Sequence, residues 1–290
     1  MHIPVLLQEV IHYLAPQSNE NFIDATVGEG GHTKEILQRN GPEGKVLGIE
    51  ADPELYQQLK KQNLERLILV NDSYVKIEEL CQRFHFEKIN GVLFDLGLCT
   101  WQLEESRRGF SYLKDEPLDM RFNPRSDLTA AEIINFWPRE ELERIIREYG
   151  EERYSKRIVE AILEARRRER IVSTSQLVSI LKSVLPANYE HHRLHFAART
   201  FQALRIAVNH ELDNLEGGLE SGIKVLAPAG RIVVISFHSL EDRIVKNIFK
   251  KYQQQQILKI LTKKPVVPLA EEIKQNSHAH SAKLRAALKN

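Results

Sequence analysis

Through the first 95 residues, short apolar runs alternate with amphipathic stretches of helical period. The runs Asn21–Ile23, Val46–Ile49, Leu67–Val70 and Gly91–Phe94 predict strands, and 31–39, 53–62 and 76–84 predict the helices between them. The alternation then stops. Residues 129–190 carry only helical patterns, with capping boxes at Thr129–Glu132 and Ser173–Gln176 and a long charged helix over Tyr154–Arg168. It resumes with a helix over 199–226, an apolar strand at Ile232–Ile235 and a helix over Glu241–Gln256, while Ser281–Leu288 reads as either a last strand or a short helix. Strand–helix alternation interrupted once predicts an α/β domain with a mostly parallel sheet, residues 1–104 and 196–290, carrying an inserted all-helical domain over 105–195.

The densest chemistry lies at the end of the first strand. Phe22-Ile-Asp-Ala-Thr-Val-Gly-Glu-Gly-Gly-His32 runs from an apolar strand through Asp24 into glycines at 28, 30 and 31. Such glycines allow positive φ and close approach of a ligand to the main chain. Glu50 ends the second strand, twenty residues beyond Gly30, where a carboxylate accepts the two hydroxyls of a ribose. Thr33 spoils a dinucleotide fingerprint, and acidic Glu29 stands where a phosphate loop would offer Lys. A nucleoside cofactor without phosphate, S-adenosylmethionine, suits this acidic turn better. The alternative is that the glycines only make a strand-to-helix turn.

Composition narrows the class without deciding it. Hydrophobic content of 42% and charged content of 28% describe a globular chain. The first ten residues lack a basic stretch and break their apolar run at Gln8, so neither a signal peptide nor a membrane span is expected, and the cytoplasm is the expected location. Cys81 and Cys99 form no metal or disulfide pattern, and no metal is expected. The net charge of +1 is unevenly spread: residues 1–103 sum to −6 and 243–290 to +9. That basic end is either a contact for a polyanion or a solvated surface.

Longer motifs stand along the whole chain: His2-Ile-Pro-Val-Leu-Leu-Gln-Glu9, Asp24 to His32, Asp95-Leu-Gly97, Arg108-Gly-Phe-Ser111, Pro117-Leu-Asp-Met-Arg121, Gly150-Glu-Glu-Arg153, Phe201-Gln-Ala-Leu-Arg205 and Ile235 to Arg243. In these the chain closely resembles, end to end, the bacterial small-subunit (16S) rRNA cytosine-N4 methyltransferase family. The resemblance implies a class I methyltransferase fold, Rossmann-like, with a helical insert for substrate recognition. It further implies S-adenosylmethionine as methyl donor, and a cytidine of the decoding region of 16S rRNA, in the small ribosomal subunit, as target. Monomer and homodimer stay open.

Carried over residue by residue, the resemblance assigns cofactor binding to Gly30, Gly31, His32, Glu50 (a usual Asp), Tyr74 (a usual Phe, set to pack on adenine), Asp95 and Gln102. The exocyclic amino group of cytosine is a poor nucleophile. Its methylation needs in-line aim rather than a covalent intermediate, helped by an acceptor on the amino hydrogens. Asp95 is the first candidate for that acceptor and His238 the second, Ser239 and Asp242 being expected to start the following helix on their own. Arg108, Asp119 and Arg121 either hold the target nucleotide or pair among themselves, and Arg199 and Arg205 face the insert or the RNA. Two departures stand out: Leu98-Cys99-Thr100 replaces Val-Ser-Ser, and His278 and His280 replace two arginines, which removes bidentate phosphate contacts. Two other classes remain: a cytosine-C5 RNA methyltransferase using Cys99 as nucleophile, and a non-catalytic ribosome-binding module.

Overall fold

A computed structural model of the chain describes residues 4–189 and 194–290; His2 and Ile3 of the first motif lie outside the described residues. The chain forms two compact units, one comprising residues up to Gly97 together with Leu212–Asn290, the other Leu98–Glu211.

The first unit is built on a seven-stranded sheet of order β3-β2-β1-β4-β5-β7-β6. Its strands are β1 (Asn21–Asp24), β2 (Val46–Glu50), β3 (Leu67–Asn71), β4 (Ile89–Asp95), β5 (Leu226–Ser236), β6 (Leu258–Ile260) and β7 (Lys283–Lys289). The first five run parallel and β7 runs antiparallel to both neighbours. This is the mostly parallel class I methyltransferase sheet that the resemblance implies, and it settles the last segment as a strand. Successive strand residues point to opposite faces. Accordingly Ile23, Leu47, Ile49, Val92, Phe94, Ile232 and Val234 enter one core, while Phe22, Val46, Leu93, Val233 and Ile235 enter the other. The first core is closed by α4 (Ile77–Arg83), α11 (Glu211–Val225) and α12 (Ser239–Gln254), the second by α1 (Leu7–Leu14) and α2 (Gly31–Arg39). Helix α3 (Pro53–Lys61) follows β2, started by Asp52, whose carboxylate accepts the Glu54 N–H at 2.9 Å. Arg285 on β7 donates two hydrogen bonds to Asp242 on α12, at 2.6 and 3.1 Å, locking the antiparallel strand to a helix of the same unit.

The second unit is helical: α5 (Thr100–Glu104), α6 (Ala130–Phe136), α7 (Arg139–Glu148), α8 (Ser155–Arg168), α9 (Thr174–Val184) and α10 (Ala198–Asn209). Both predicted capping boxes are present, Thr129 with Glu132 and Ser173 with Gln176. The buried side chains of α6 to α10 share one core with Phe110, Leu118 and Met120.

One expectation is corrected here. The single helix over 199–226 is two, α10 and α11, because His210 takes left-handed φ of 51° and stops the first. The compact helical unit runs from Leu98 to Glu211, while the inserted domain was expected over 105–195. Helix α10 packs on α6 and α7 through Phe201, Leu204 and Val208, so it belongs with the helical core rather than with the sheet.

Candidate functional site

Three carboxyl groups stand at the carboxyl ends of adjacent parallel strands: Asp24 on β1, Glu50 on β2 and Asp95 on β4. Ligands of open α/β sheets bind outside this edge, and β1 lies at the point where the strand order reverses.

The glycine turn is fixed to this edge by its own backbone. Val27 N–H donates to the Ile49 carbonyl at 3.1 Å and Gly30 N–H to the Val27 carbonyl at 2.8 Å. Gly28 and Gly30 take φ of 56° and 82°, which side-chain-bearing residues rarely adopt. Glu50 Oε2 accepts the Gly28 N–H at 2.9 Å, and its Oε1 accepts the Asp52 N–H at 2.8 Å. Burial pushes the Glu50 carboxyl up to about 8; neighbouring Asp52 and Asp24 add to the rise, and the two N–H donors oppose it. Each oxygen keeps a second lone pair for a ligand hydroxyl.

Pro4 to Leu6 cover the start of α2. A Cβ on Gly31 would meet Pro4 Cγ at 2.4 Å, and His32 Nε2 lies 3.0 Å from the Val5 carbonyl. His32 Nδ1 lies 3.3 Å from Asp95 Oδ2. The His32 ring is buried, which by itself lowers its affinity for a proton, but Asp95 and then Asp24 outweigh burial and leave its pKa raised. Asp24 is buried and accepts from Thr33 Oγ1 at 2.6 Å and from the Thr26 N–H at 3.2 Å, and burial raises its pKa. Thr26 Oγ1 in turn accepts the Asp95 N–H at 2.6 Å. Asp95 Oδ1 is buried with no hydrogen-bond partner among the described residues.

Tyr74 sits on a 3-10 turn (Tyr74–Lys76) after β3. Its ring meets Phe94 edge-on at 5.6 Å, and a Cβ on Gly218 of α11 would fall 2.5 Å from its Cδ2. Gln102, on α5 of the helical unit, is buried and turns its Oε1 back to the Cys99 N–H at 3.2 Å. The sheet unit therefore gathers Gly30, Gly31, His32, Glu50, Tyr74 and Asp95 at the ends of β1 to β4, and Gln102 belongs to the helical one.

His238 requires a correction. Its Nδ1 accepts the Glu241 N–H at 3.4 Å, and Glu241 Oε2 accepts the Phe237 N–H at 2.8 Å. The residue that caps α12 is thus His238 with Glu241 three positions on, not Ser239 with Asp242. Asp242 is instead the partner of Arg285.

The remaining candidates lie inside the helical unit. Asp119 and Arg121 pair with each other in a two-pronged contact at 2.7 and 2.8 Å, the second of the two readings open from sequence. Arg108 is buried, its Nη1 donating to the Phe122 carbonyl at 3.1 Å and its guanidinium lying over Trp101. Arg205 pairs with Glu211 at 2.8 and 2.9 Å, and Arg199 donates to the Glu151 carbonyl. Arg166 caps α6 by donating to the carbonyls of Ile134 and Trp137 at 2.8 and 2.9 Å. His278 and His280 are exposed on a 3-10 turn, Ser277–Ser281.

Sequence reasoning assigned no role in the site to Val5, Thr26, Thr33, Phe94 or Gly218. Of these only Thr33 carried a local signal, as a hydroxyl one turn into a helix that faces an acid-ended strand.

One buried oxygen of Asp95 has no donor among the described residues, and Glu50 retains lone pairs beside a glycine turn. Those residues fit a ligand rich in N–H and O–H groups, such as S-adenosylmethionine. The comparisons agree with the geometry. The chain is 48% identical to the ribosomal RNA small subunit methyltransferase H of Kosmotoga olearia, over 99% of this chain and 96% of the other. It is 44% identical to the protein of that name from Caldicellulosiruptor bescii, over 99% of both chains. The model of the MraW methylase family matches residues 1–290, and the chain belongs to that family.

Proposed function

We propose that this protein methylates the exocyclic N4 amino group of a cytidine in the decoding region of 16S rRNA, in the small ribosomal subunit, with S-adenosylmethionine as donor. It acts in the cytoplasm; no described helix is long and apolar enough to cross a membrane. Transfer is direct, with no covalent enzyme intermediate. The observation that carries the reading is Asp95 Oδ1, a buried acceptor with no partner among the described residues, at the end of β4 in a methylase-family chain.

When bound, S-adenosylmethionine supplies a methyl carbon whose bond to sulfur breaks with its electron pair staying on sulfur. The chain's residues do the rest. Backbone groups of Gly30 and Gly31 would hold the amino-acid end, Glu50 would accept the ribose hydroxyls, and Tyr74 would pack on the adenine. Asp95 Oδ1 accepts an N4 hydrogen, which concentrates the lone pair on nitrogen, and takes the surplus proton once nitrogen carries the methyl group. Asp95 is preferred to His238 because the His238 Nδ1 already accepts a helix N–H. The helical unit, with Arg157 and Arg167, and the exposed lysines of the basic end supply the affinity for RNA.

The test is incubation with unmethylated small subunits and mass-spectrometric typing of the cytidines. N4-methylcytidine is expected, and Asp95→Asn should lower its rate by roughly 10²–10⁴-fold. A 5-methylcytidine product that vanishes in Cys99→Ser would establish covalent C5 chemistry instead, and no methylation at all would leave a binding module.

A further inference from the structure

We infer that His32 is a positioning residue: a buried imidazolium, fixed by the Val5 carbonyl, that holds Asp95 Oδ2 and so presents Asp95 Oδ1 to a hydrogen donor of the substrate. The inference rests on the reading of Asp95 given above and adds to it the residue that aims the carboxylate.

The argument is one of proton count. A backbone carbonyl only accepts, so the Val5 contact at 3.0 Å places a proton on His32 Nε2. In a neutral ring Nδ1 would then be a bare lone pair, pointing at a carboxylate oxygen 3.3 Å away. Two acceptors facing each other inside the protein repel, whereas a second proton on Nδ1 makes both contacts attractive. The ring's surroundings favour that proton. Asp95 faces it from β4 and Asp24 from β1, the described part of the N-terminal segment offers the Val5 carbonyl, and together they raise the His32 pKa despite its burial.

The two nearby acids are used differently. Asp24 has donors on both oxygens, the Thr26 N–H on Oδ1 and Thr33 Oγ1 on Oδ2. Asp95 is held at its backbone by Thr26 and at Oδ2 by His32, and its buried Oδ1 has no partner among the described residues. A carboxylate pinned at two points with its last acceptor open is pre-oriented, and its open oxygen selects a ligand that donates there. The imidazole is then occupied at both nitrogens, so its task is to hold the acid rather than to contact the cofactor.

Two measurements test this. Nitrogen NMR of selectively labelled wild-type protein should find both His32 nitrogens protonated at pH 7.5; a neutral ring would overturn the inference. Steady-state kinetics of His32→Gln, which keeps a donor for Val5, should show kcat lowered by roughly 10²-fold with the KM for S-adenosylmethionine nearly unchanged. Wild-type kcat should also fall as pH rises through the titration seen by NMR, while the variant loses that limb. A raised KM with unchanged kcat would make His32 a cofactor ligand and overturn the inference. The NMR arm needs no RNA, so it decides even if His32→Gln does not fold or if the wild type methylates another acceptor.

Discussion

Glu50 Oε2 accepts the Gly28 N–H at 2.9 Å, so the acid that ends β2 also fixes the glycine turn that follows β1. One side chain thereby fixes the loop beside it, and it is the residue proposed above to accept the ribose hydroxyls. Replacing it removes an acceptor from two backbone donors.

Glu50→Ala should weaken S-adenosylmethionine binding by about 2–4 kcal/mol, the loss of hydrogen bonds to two hydroxyls left unpaired in a buried site. Isothermal calorimetry measures it, and unchanged affinity would remove Glu50 from the site. The pH dependence follows from its raised pKa. Folding that favours the protonated acid contributes stability fully present below 4.5, and that contribution is lost as pH rises towards about 8. The stability of wild type relative to Glu50→Gln should therefore decline across that window, as followed by chemical denaturation.

Gly218→Ala should disturb Tyr74, the residue proposed to lie against the adenine, from the helix behind it. The added methyl would fall 2.5 Å from Tyr74 Cδ2, and Phe94 closes the ring in from another side. Overpacking of this kind costs roughly 1–3 kcal/mol. A lower melting temperature and a raised KM for S-adenosylmethionine are expected. A variant with wild-type values for both would mean that Tyr74 has room to move.

Cys99→Ser should keep full activity. Cys99 precedes α5, and serine is a better helix N-cap than cysteine, so stability should stay level or rise by a few tenths of a kcal/mol. Turnover abolished with cofactor binding intact would point instead to a nucleophilic thiol.

Salt dependence tests the basic end. Lys251 already pairs with Glu220 at 2.8 Å and Arg285 with Asp242, whereas Lys250, Lys263 and Lys264 are exposed. Replacing those three with Gln should flatten the plot of log K against log salt for small-subunit binding. Each phosphate contact removed should change the slope by about 0.7–0.9. A slope equal to wild type would assign RNA binding to the helical unit alone.

The local pattern determined what depends on near neighbours. Apolar runs ending in Asp24, Glu50 and Asp95 declared three parallel strands and their acidic ends, because a strand buried on both faces must be apolar throughout while its end is free to be polar. The glycine spacing declared the turn, and the boxes at Thr129 and Ser173 declared helix starts, since each capping bond spans three residues. Long-range contacts decided the rest. No local rule places Val5 against His32, a contact between the N-terminal segment and α2, or His32 against Asp95, a contact that forms when β1 and β4 lie side by side. The same holds for Gly218 beneath Tyr74, joined by the packing of α11 on the sheet. The start of α12 was read one residue late: Ser239 with Asp242 offered an equally regular cap, and the folded chain uses His238 with Glu241 instead. Helical period likewise ran unbroken through residue 210, and a single left-handed backbone angle, invisible in composition, divided one helix into two.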